Sequence, residues 1–309
     1  MKILVTGGSG MVGSCLKEIC INNNNVFIFL SSKDGDLTSL TQTDKLFKKY
    51  RPDYVIHLAA NVGGLFKNIR DKVDMFKHNV RINENVLEMC NKYNVQKGIF
   101  CLSSCIFPHK PSKYPMDESM IDESPPHPSN KGYGYSKRMM EMQCNNYNEQ
   151  FGRNYICLIP VNLYGPYDNF NLKDSHVVPG LIHKFYKAKK ENNIIKILGT
   201  GKPIRQFIYS YDFATIILKT LFEYNDKKSI ICCNNEISIK ELAILIAKIM
   251  NYNIQNISYD TSQSDGCYKK TVDGTFLKTI FPEFKYTSLE NGLIKTIKWF
   301  ETNYNTCRK

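Results

Sequence analysis

The chain has 309 residues, of which 42% are hydrophobic, and this size predicts one large α/β domain with a smaller partner rather than a disordered chain. The formal net charge is +12, yet only seven of the 41 basic residues are arginine, the residue that best binds phosphates in pairs of hydrogen bonds, so we expect no nucleic acid as partner. No window approaches the roughly 18 apolar residues of a membrane helix, so we expect neither a signal peptide nor a membrane partner.

Five short apolar or β-branched runs predict strands that alternate with stretches long enough for crossover helices. These runs lie at residues 3–5, 26–30, 54–58, 99–102 and 155–159. The alternation predicts an α/β fold with a Rossmann-type doubly wound parallel sheet. A run of asparagines at 22–25 predicts a loop. A proline-rich passage at 122–128 predicts another loop, which leads to a helix that begins near Tyr133.

The rhythm of strands and helices changes after about residue 163, which predicts a domain boundary. We therefore expect a Rossmann domain over residues 1–162, which the chain rejoins at about 205–225. The remaining residues, 163–309, are expected to form mainly a smaller C-terminal α/β domain.

A glycine-rich turn follows the first predicted strand. Gly7, Gly10 and Gly13 have the spacing of a dinucleotide-binding turn, which lies between a strand and a helix. Glycine permits the tight turn and the close approach of the backbone to a pyrophosphate, and the helix N-terminus offers N–H groups to the anion. With Met11 and Val12, these residues form the predicted phosphate site of a nicotinamide dinucleotide.

The end of the second predicted strand indicates which dinucleotide binds. An Asp or Glu at this place would hold a ribose 2′-hydroxyl, but the chain reads Leu30-Ser31-Ser32-Lys33. No acid stands there to repel a 2′-phosphate, and Lys33 can pair with one. We therefore expect NADPH/NADP+ as the cofactor, with Ser32 and Lys33 at its 2′-phosphate and with Asp36 and Leu37 near its adenine.

Three residues form a candidate catalytic set. Tyr133 and Lys137 are four residues apart and therefore share one face of the predicted helix. An ammonium beside the phenol is expected to lower the pKa of Tyr133 toward neutrality, so that it can exchange the proton that accompanies hydride transfer. Ser103 follows the fourth predicted strand, at the edge where open parallel sheets bind ligands, and can hydrogen bond a substrate carbonyl.

The eleven cysteines include no C-x-x-C pair, and Cys232 and Cys233 are adjacent. This spacing suits neither a disulfide framework nor a zinc site. We therefore expect free thiols, no bound metal and a reducing, cytoplasmic location.

Further short segments are more specific than the glycine turn or the Tyr133/Lys137 pair. They read Ser103-Ser104-Cys105, Asn162-Leu163-Tyr164-Gly165-Pro166, Ser175-His176-Val177-Val178-Pro179, Gly199-Thr200-Gly201-Lys202-Pro203 and Ser264-Asp265-Gly266. Over essentially its whole length the chain resembles the extended short-chain dehydrogenase/reductase superfamily, and within it the GDP-L-fucose synthase family. Ordinary sugar epimerases share the turn and the Tyr/Lys pair but lack the combination of Cys105 and His176.

The resemblance implies a two-part reaction on GDP-4-keto-6-deoxy-D-mannose: epimerisation at C3 and C5, then NADPH-dependent reduction of the C4 ketone to give GDP-L-fucose. It implies Cys105 as the base and His176 as the acid. The protons at C3 and C5 are acidic because both carbons flank the ketone. A cysteine near a cation can reach the thiolate near neutral pH, and histidine titrates in that range. Without the resemblance, a single cysteine or histidine fits a packing role equally well.

The resemblance also implies contact residues. For the cofactor these are Leu58, Ala59, Ala60, Lys137, Pro160, Asn162, Leu163 and His176. For the GDP-sugar they are Asn162, Val177, Lys184, Leu198, Arg205, Asp265 and Lys270. Leu198 departs from the family, which usually has Trp beside the guanine, and this leaves the base contact open. A homodimer is implied as well, through the helix that carries Tyr133.

Three other functions remain open at this point. A redox-silent, NAD-dependent nucleotide-sugar 4-epimerase would keep its cofactor bound and consume no NADPH. A non-catalytic, dinucleotide-sensing binding protein would have no need of Ser103, Tyr133 and Lys137. A polyanion-binding protein would bind nucleic acid with a steep dependence on salt.

Overall fold

A computed structural model describes residues 1–21 and 23–309, so Asn22 of the predicted asparagine loop lies outside the described residues. Within these residues the strands are β1 Lys2–Thr6, β2 Val26–Phe29, β3 Tyr54–His57, β4 Lys97–Cys101, β5 Tyr155–Pro160, β6 Asn162–Tyr164, β7 Ile195–Leu198, β8 Ile204–Tyr209, β9 Ile230–Cys232, β10 Glu236–Ser238 and β11 Ile257–Asp260. The α-helices are α1 Met11–Ile19, α2 Leu40–Tyr50, α3 Leu65–Arg70, α4 Lys72–Lys92, α5 Lys131–Phe151, α6 Val177–Glu191, α7 Ser210–Glu223, α8 Ile239–Ile249, α9 Thr275–Ile280 and α10 Leu289–Thr302. Short 3-10 turns lie at Ser104–Ile106, Glu118–Met120, Pro128–Asn130 and Ile254–Asn256.

The main sheet has six strands in the order β2-β1-β3-β4-β5-β9, and every neighbouring pair is parallel. The five predicted strands are confirmed as β1 to β5, so the doubly wound α/β class is confirmed as well. The direction of winding changes between β1 and β3, the kind of switch point at which open parallel sheets bind ligands. The sixth strand, β9, is a run of only three residues that sequence analysis did not identify.

Helices cover both faces of this sheet. Helix α1 packs on α7, while α4 packs on both α2 and α5. Helix α5 includes Tyr133, as predicted, and it ends where Gly152 adopts a left-handed conformation at φ 64°. The proline-rich passage before α5 contains no α-helix or strand, as its composition predicts. Among the described residues, no helix combines the length and the apolar character that crossing a bilayer requires.

The apolar residues form two core clusters. The first surrounds the main sheet and includes chain segments from residues 208–233 and 272–281. The second joins β6, β7, β8, α6, α8 and α10 around side chains such as Phe185 and Phe300. A three-stranded sheet, β10-β8-β6, and a two-stranded sheet, β11-β7, lie in this second part. The predicted division at residue 162 stays a prediction, because the C-terminal half contributes to both clusters.

Candidate active site

The larger cavity, about 820 Å³ in volume, lies along the carboxyl ends of the main-sheet strands. It contains every predicted cofactor contact except Lys33. The predicted contacts that line it are Gly7, Gly10, Met11, Val12, Gly13, Ser32, Asp36, Leu37, Leu58, Ala59, Ala60, Lys137, Pro160, Asn162, Leu163 and His176. Ser103, Cys105 and Tyr133 line the same cavity. We refer to it as the first cavity.

The glycine turn forms one wall of the first cavity. Gly7 has a φ of 69°, and a Cβ at this position would lie 2.7 Å from the backbone nitrogen of Ala59. Only glycine therefore lets the turn approach the end of β3 this closely. Helix α1 begins at Met11 after Gly10, which supplies no side-chain cap to the first N–H groups. These N–H groups are available to an anion, so the turn fits the pyrophosphate of a dinucleotide.

The end of β2 forms the opposite edge of this cavity. Ser32, Asp36 and Leu37 line it, whereas the exposed Lys33 does not. The Asp36 carboxylate accepts hydrogen bonds from Thr38, from the backbone nitrogen at 2.9 Å and from the hydroxyl at 2.8 Å. This carboxylate therefore stabilises its own loop. The contact of Lys33 with a 2′-phosphate stays a prediction.

Tyr133 and Lys137 lie on one face of α5, as their spacing predicts. The Lys137 Nζ donates to the backbone oxygen of Cys101 at 2.7 Å and lies 6.0 Å from the centre of the Tyr133 ring. The predicted lowering of the Tyr133 pKa is wrong for this structure: burial, with smaller contributions from Cys105 and Cys101, raises the pKa well above its usual value. Tyr133 thus stays protonated at neutral pH, the form that donates a proton to a carbonyl oxygen.

Cys105 lies in the 3-10 turn after β4 and has two polar neighbours at its sulfur. The Asn130 Nδ2 donates to Sγ at 2.9 Å and the Lys270 Nζ donates to Sγ at 3.1 Å. Burial raises the pKa of Cys105, but the Lys270 charge and hydrogen bonds that involve Ser103, Lys270 and Asn130 outweigh burial and leave the pKa lowered. Gly134 permits this arrangement, because a Cβ there would lie 2.7 Å from the Cys105 carbonyl oxygen.

His176 is the residue before α6 and makes no side-chain cap to that helix. Its side chain lines the first cavity and also the smaller one described below. Burial lowers the pKa of His176, so the expectation that it titrates near its ordinary value is wrong. The imidazole is neutral at neutral pH, and it needs to gain a proton before it can act as an imidazolium acid.

A smaller cavity, about 310 Å³ in volume, opens beside the first. We refer to it as the second cavity. All of the predicted substrate contacts line it, namely Asn162, Val177, Lys184, Leu198, Arg205, Asp265 and Lys270. The first and second cavities share Cys105, Asn162 and His176, among other residues. These shared residues lie where the two cavities meet, so they are placed to contact a molecule that extends from one cavity into the other.

Backbone carbonyl groups hold the Arg205 guanidinium in place. Arg205 donates to the carbonyl oxygen of Ile204 at 2.8 Å and to that of Cys267 at 2.5 Å. Burial lowers the pKa of Arg205 and of Lys184, yet an arginine stays charged in proteins. A fixed cation in a partly buried cavity suits a diphosphate.

Asp265 contributes to the second cavity mainly by fixing its wall. Its two carboxylate oxygens accept from the backbone nitrogen and the hydroxyl of Thr200, each at 2.7 Å. This ties the loop at residues 264–270 to the turn at residues 199–201. Leu198, the departure from the family, ends β7 with 39% of its surface exposed, and it therefore offers an open apolar surface to a base.

Several residues of the second cavity carry no sequence signal. Asn130 contacts Cys105 because the 3-10 turn at Pro128–Asn130 precedes α5 directly, and only its position three residues before Tyr133 could have suggested it. His127 and Cys267 also line this cavity. Together with His109 they form a group with possible metal ligands. These three residues come from separate segments, so no spacing motif marks them.

The sequence is similar to those of known enzymes over its whole length. Residues 3–233 match the NAD dependent epimerase/dehydratase family. The chain is 47% identical to the GDP-L-fucose synthase of Dictyostelium discoideum, with 99% of this chain and 97% of that protein covered. It is 40% identical to the probable GDP-L-fucose synthase of Drosophila melanogaster, with 100% of this chain and 99% of that protein covered. A crystal structure of a GDP-L-fucose synthetase from Naegleria fowleri bound to NADP is 44% identical, with a TM-score of 0.93 over 100% of this chain and 95% of that one.

Proposed function

The chain belongs to the NAD dependent epimerase/dehydratase family, and from this premise we propose that it acts as a GDP-L-fucose synthase. The substrate is GDP-4-keto-6-deoxy-D-mannose, which the enzyme epimerises at C3 and C5 and then reduces at C4. Similarity to the Dictyostelium and Drosophila proteins along the whole chain supports this assignment.

NADPH is the cofactor of the proposed reaction, and when bound it supplies the hydride for C4. The residues of the first cavity suit NADPH. The glycine turn can accept its pyrophosphate, and the position after β2 where an acid would repel a 2′-phosphate is occupied by Ser32. The related Naegleria protein, whose structure holds NADP, supports this choice. Lys33 is the proposed partner of the 2′-phosphate.

Epimerisation needs a base on one face of the sugar and an acid on the other. We assign the base to Cys105, because its lowered pKa favours the thiolate and because it lies where the first and second cavities meet. His176 is the proposed acid. Since its imidazole is neutral, it takes a proton from solvent or substrate before it returns one to carbon.

Reduction of the C4 ketone needs a proton at the carbonyl oxygen. Tyr133 is the proposed donor, and burial keeps its phenol protonated. Ser103 is the proposed second hydrogen-bond donor to the same oxygen. Lys137 positions the cofactor, while its bond to the Cys101 carbonyl fixes the direction of its side chain.

The second cavity is the proposed site of the GDP moiety. Lys184 and Arg205 supply charge to the diphosphate, and Leu198 lies beside the base. Asn162 and Val177 line the path toward the sugar, while Asp265 supports the wall through Thr200. Lys270 has two tasks in this proposal, since it faces the substrate and also activates Cys105.

The observation that carries the proposal is the position of the Cys105 thiol at the junction of the two cavities, where it accepts hydrogen bonds from Lys270 and Asn130. The test is incubation of the protein with substrate and oxidised cofactor in D₂O, followed by mass analysis of C3 and C5. Wild type and Cys307→Ala should incorporate deuterium, whereas Cys105→Ala should not. Exchange at the wild-type rate in Cys105→Ala would show that Cys105 is not the base. Stoichiometric loss of NADPH in a separate assay would exclude a redox-silent 4-epimerase.

We also propose a homodimer in the cytoplasm. Two neighbouring helices support the dimer, because Met142 on α5 and Val73 and Phe76 on α4 are exposed apolar side chains. The location is supported by the cysteines, all eleven of which are free thiols. Light scattering coupled to gel filtration tests the assembly: a mass of one chain that persists at high protein concentration would exclude the dimer.

A further inference from the structure

One cluster outside the proposed catalytic residues combines two imidazoles with a thiol. His109 and His127 come together because the backbone nitrogen of His109 donates to the Pro125 carbonyl oxygen at 2.9 Å. Cys267 reaches them from the loop at residues 264–270. One ligand atom of each side chain lies within 4.8 Å of the other two, and all three residues are partly buried. This spacing brings the three side chains close enough to hold one metal ion.

The two imidazole rings lie close together at nearly a right angle. Their centres are 4.3 Å apart and their planes are at 87°. The Nδ1 of His109 is buried and, among residues 1–21 and 23–309, has no hydrogen-bond partner. The Nδ1 of His127 lies 2.7 Å from the Ser129 hydroxyl. The Ser129 backbone nitrogen also donates to this Nδ1 at 3.2 Å, which places the proton on Nε2. To bind a metal, His127 must move its proton to Nδ1 and donate it to the Ser129 hydroxyl, at the cost of the bond from the backbone nitrogen. The Nε2 then carries a lone pair, as in histidines that bind metals.

We propose that His109, His127 and Cys267 bind a divalent ion of the zinc class. Two nitrogens and one thiolate suit zinc or cobalt, and three protein ligands leave the fourth tetrahedral position open. The expectation from sequence was that the chain has no metal site, because zinc motifs are recognised by short spacing. Here Cys267 lies 140 positions after His127, so the fold alone creates the group.

Nearby charges determine how tightly this site binds a metal ion. Arg205 and Lys270 line the same second cavity as His127 and Cys267. These two cations repel a divalent ion, while a cysteine bound to a metal is a thiolate and offsets one positive charge. We therefore expect reversible binding, weaker than at a closed structural site with four ligands.

Metal binding has a consequence for the activated cysteine. The Cys267 thiol donates to the Lys269 carbonyl oxygen at 3.0 Å, and this hydrogen bond is lost when a metal takes the thiolate. The next residue along the loop is Lys270, whose Nζ donates to Cys105. An ion on Cys267 thus alters the segment that activates Cys105 and slows epimerisation. This second part rests on the proposed function, whereas binding of the ion does not.

Cobalt titration of the chelator-treated, reduced protein tests the binding directly. We expect one cobalt ion per chain, with the absorption bands of a tetrahedral site and of thiolate-to-cobalt charge transfer, and displacement by zinc. Cys267→Ser should lose the charge-transfer band, whereas Cys105→Ser should keep it. Ser129→Ala should weaken binding by about 10- to 100-fold, the usual effect of losing a partner of a metal-bound histidine. A charge-transfer band that survives in Cys267→Ser, or no band in wild type, would overturn the site.

Deuterium exchange at C3 and C5 tests the inhibition separately. Zinc should slow exchange in wild type roughly tenfold, the low end of the effect of a lost charged hydrogen bond. His109→Asn, which alters no residue of the proposed catalytic set, should exchange at the wild-type rate and resist zinc. If zinc inhibits wild type and His109→Asn equally, the proposed effect of the metal on Cys105 is wrong. The cobalt titration would still show whether the metal site exists. Failure of exchange in wild type without zinc would instead contradict the proposed function.

Discussion

The first and second cavities differ in how the chain builds them. Most of the first cavity is lined by the carboxyl ends of parallel strands and the turns that follow them, from Gly7 after β1 to Ser103 after β4, with helix α5 supplying Tyr133 and Lys137. The second cavity is assembled from distant segments, with Asn130 before α5, Lys184 on α6, Arg205 on β8 and Lys270 in the loop after β11. A regular sheet therefore positions redox chemistry locally, whereas recognition of the sugar nucleotide depends on contacts between distant segments.

Loss of the phenol in the first cavity should have the largest effect. Tyr133→Phe removes the donor of a proton to the C4 oxygen, so NADPH oxidation should fall by about 10²- to 10⁴-fold. Deuterium exchange at C3 and C5 should continue, because it uses Cys105 and His176, which lie where the two cavities meet. Tyr135→Phe, two residues along the same helix, is the matched control and should oxidise NADPH normally. If Tyr133→Phe also stops the exchange, reduction at C4 and epimerisation at C3 and C5 do not depend on separate groups.

The preference for NADPH over NADH tests whether a residue just after β2 determines which cofactor the first cavity binds. Lys33→Ala should narrow the preference for NADPH over NADH by about 10- to 150-fold, since a charged hydrogen bond is worth roughly 1.5 to 3 kcal/mol. Specificity constants with both cofactors measure this effect, and the exposed Lys248→Ala serves as control. An unchanged ratio would mean that a more distant residue holds the 2′-phosphate.

The link between the cavities is tested by removing the charge beside Cys105. In Lys270→Met the pKa of Cys105 should rise, because the ammonium that stabilises the thiolate is gone. The rate of deuterium exchange, which needs the thiolate, should therefore fall roughly tenfold at neutral pH and recover as the pH rises. Lys269→Met, whose side chain pairs with Glu236, should keep the wild-type profile. If the rate of deuterium exchange falls by the same factor at every pH, Lys270 contributes to substrate binding alone.

The smallest effect is expected at the base end of the second cavity. Leu198→Trp should tighten GDP binding by about 2- to 10-fold, because a stacked ring adds roughly 0.5 to 1.5 kcal/mol beyond its buried area. Calorimetry of GDP binding measures it, with Ile194→Trp, just before β7, as control. Weaker binding in Leu198→Trp would indicate that the cavity is shaped around leucine.

The contrast between the cavities also explains what the sequence could predict. The strands β1 to β5, the glycine turn and the helix with Tyr133 and Lys137 follow from local periodicity and spacing. The three-residue β9 does not, because so short an apolar run has no period and gains its place only by pairing with β5. The contacts of the second cavity were reached through family resemblance, and Asn130 was missed.

Electrostatics were the least predictable part of the site. The proximity of Lys137 to Tyr133 was foreseen, but burial dominates the pKa of Tyr133 and reverses the expected direction. The same holds for His176, whose pKa burial lowers. For Cys105 the expected direction is found, since Lys270 and Asn130 outweigh burial. Each outcome depends on how much water the surrounding side chains exclude, which a sequence does not reveal.

The environment of Cys105 also makes it a selective target for covalent modification. Thiolates, not thiols, attack electrophiles, and burial raises the pKa of the neighbouring Cys101 to about 11 and that of Cys15 to about 12. Limited iodoacetamide should therefore alkylate Cys105 before these two thiols, and bound substrate should protect it. A mild electrophile attached to a nucleotide-like scaffold would enter from either cavity and inactivate the enzyme by forming a carbon–sulfur bond at their junction.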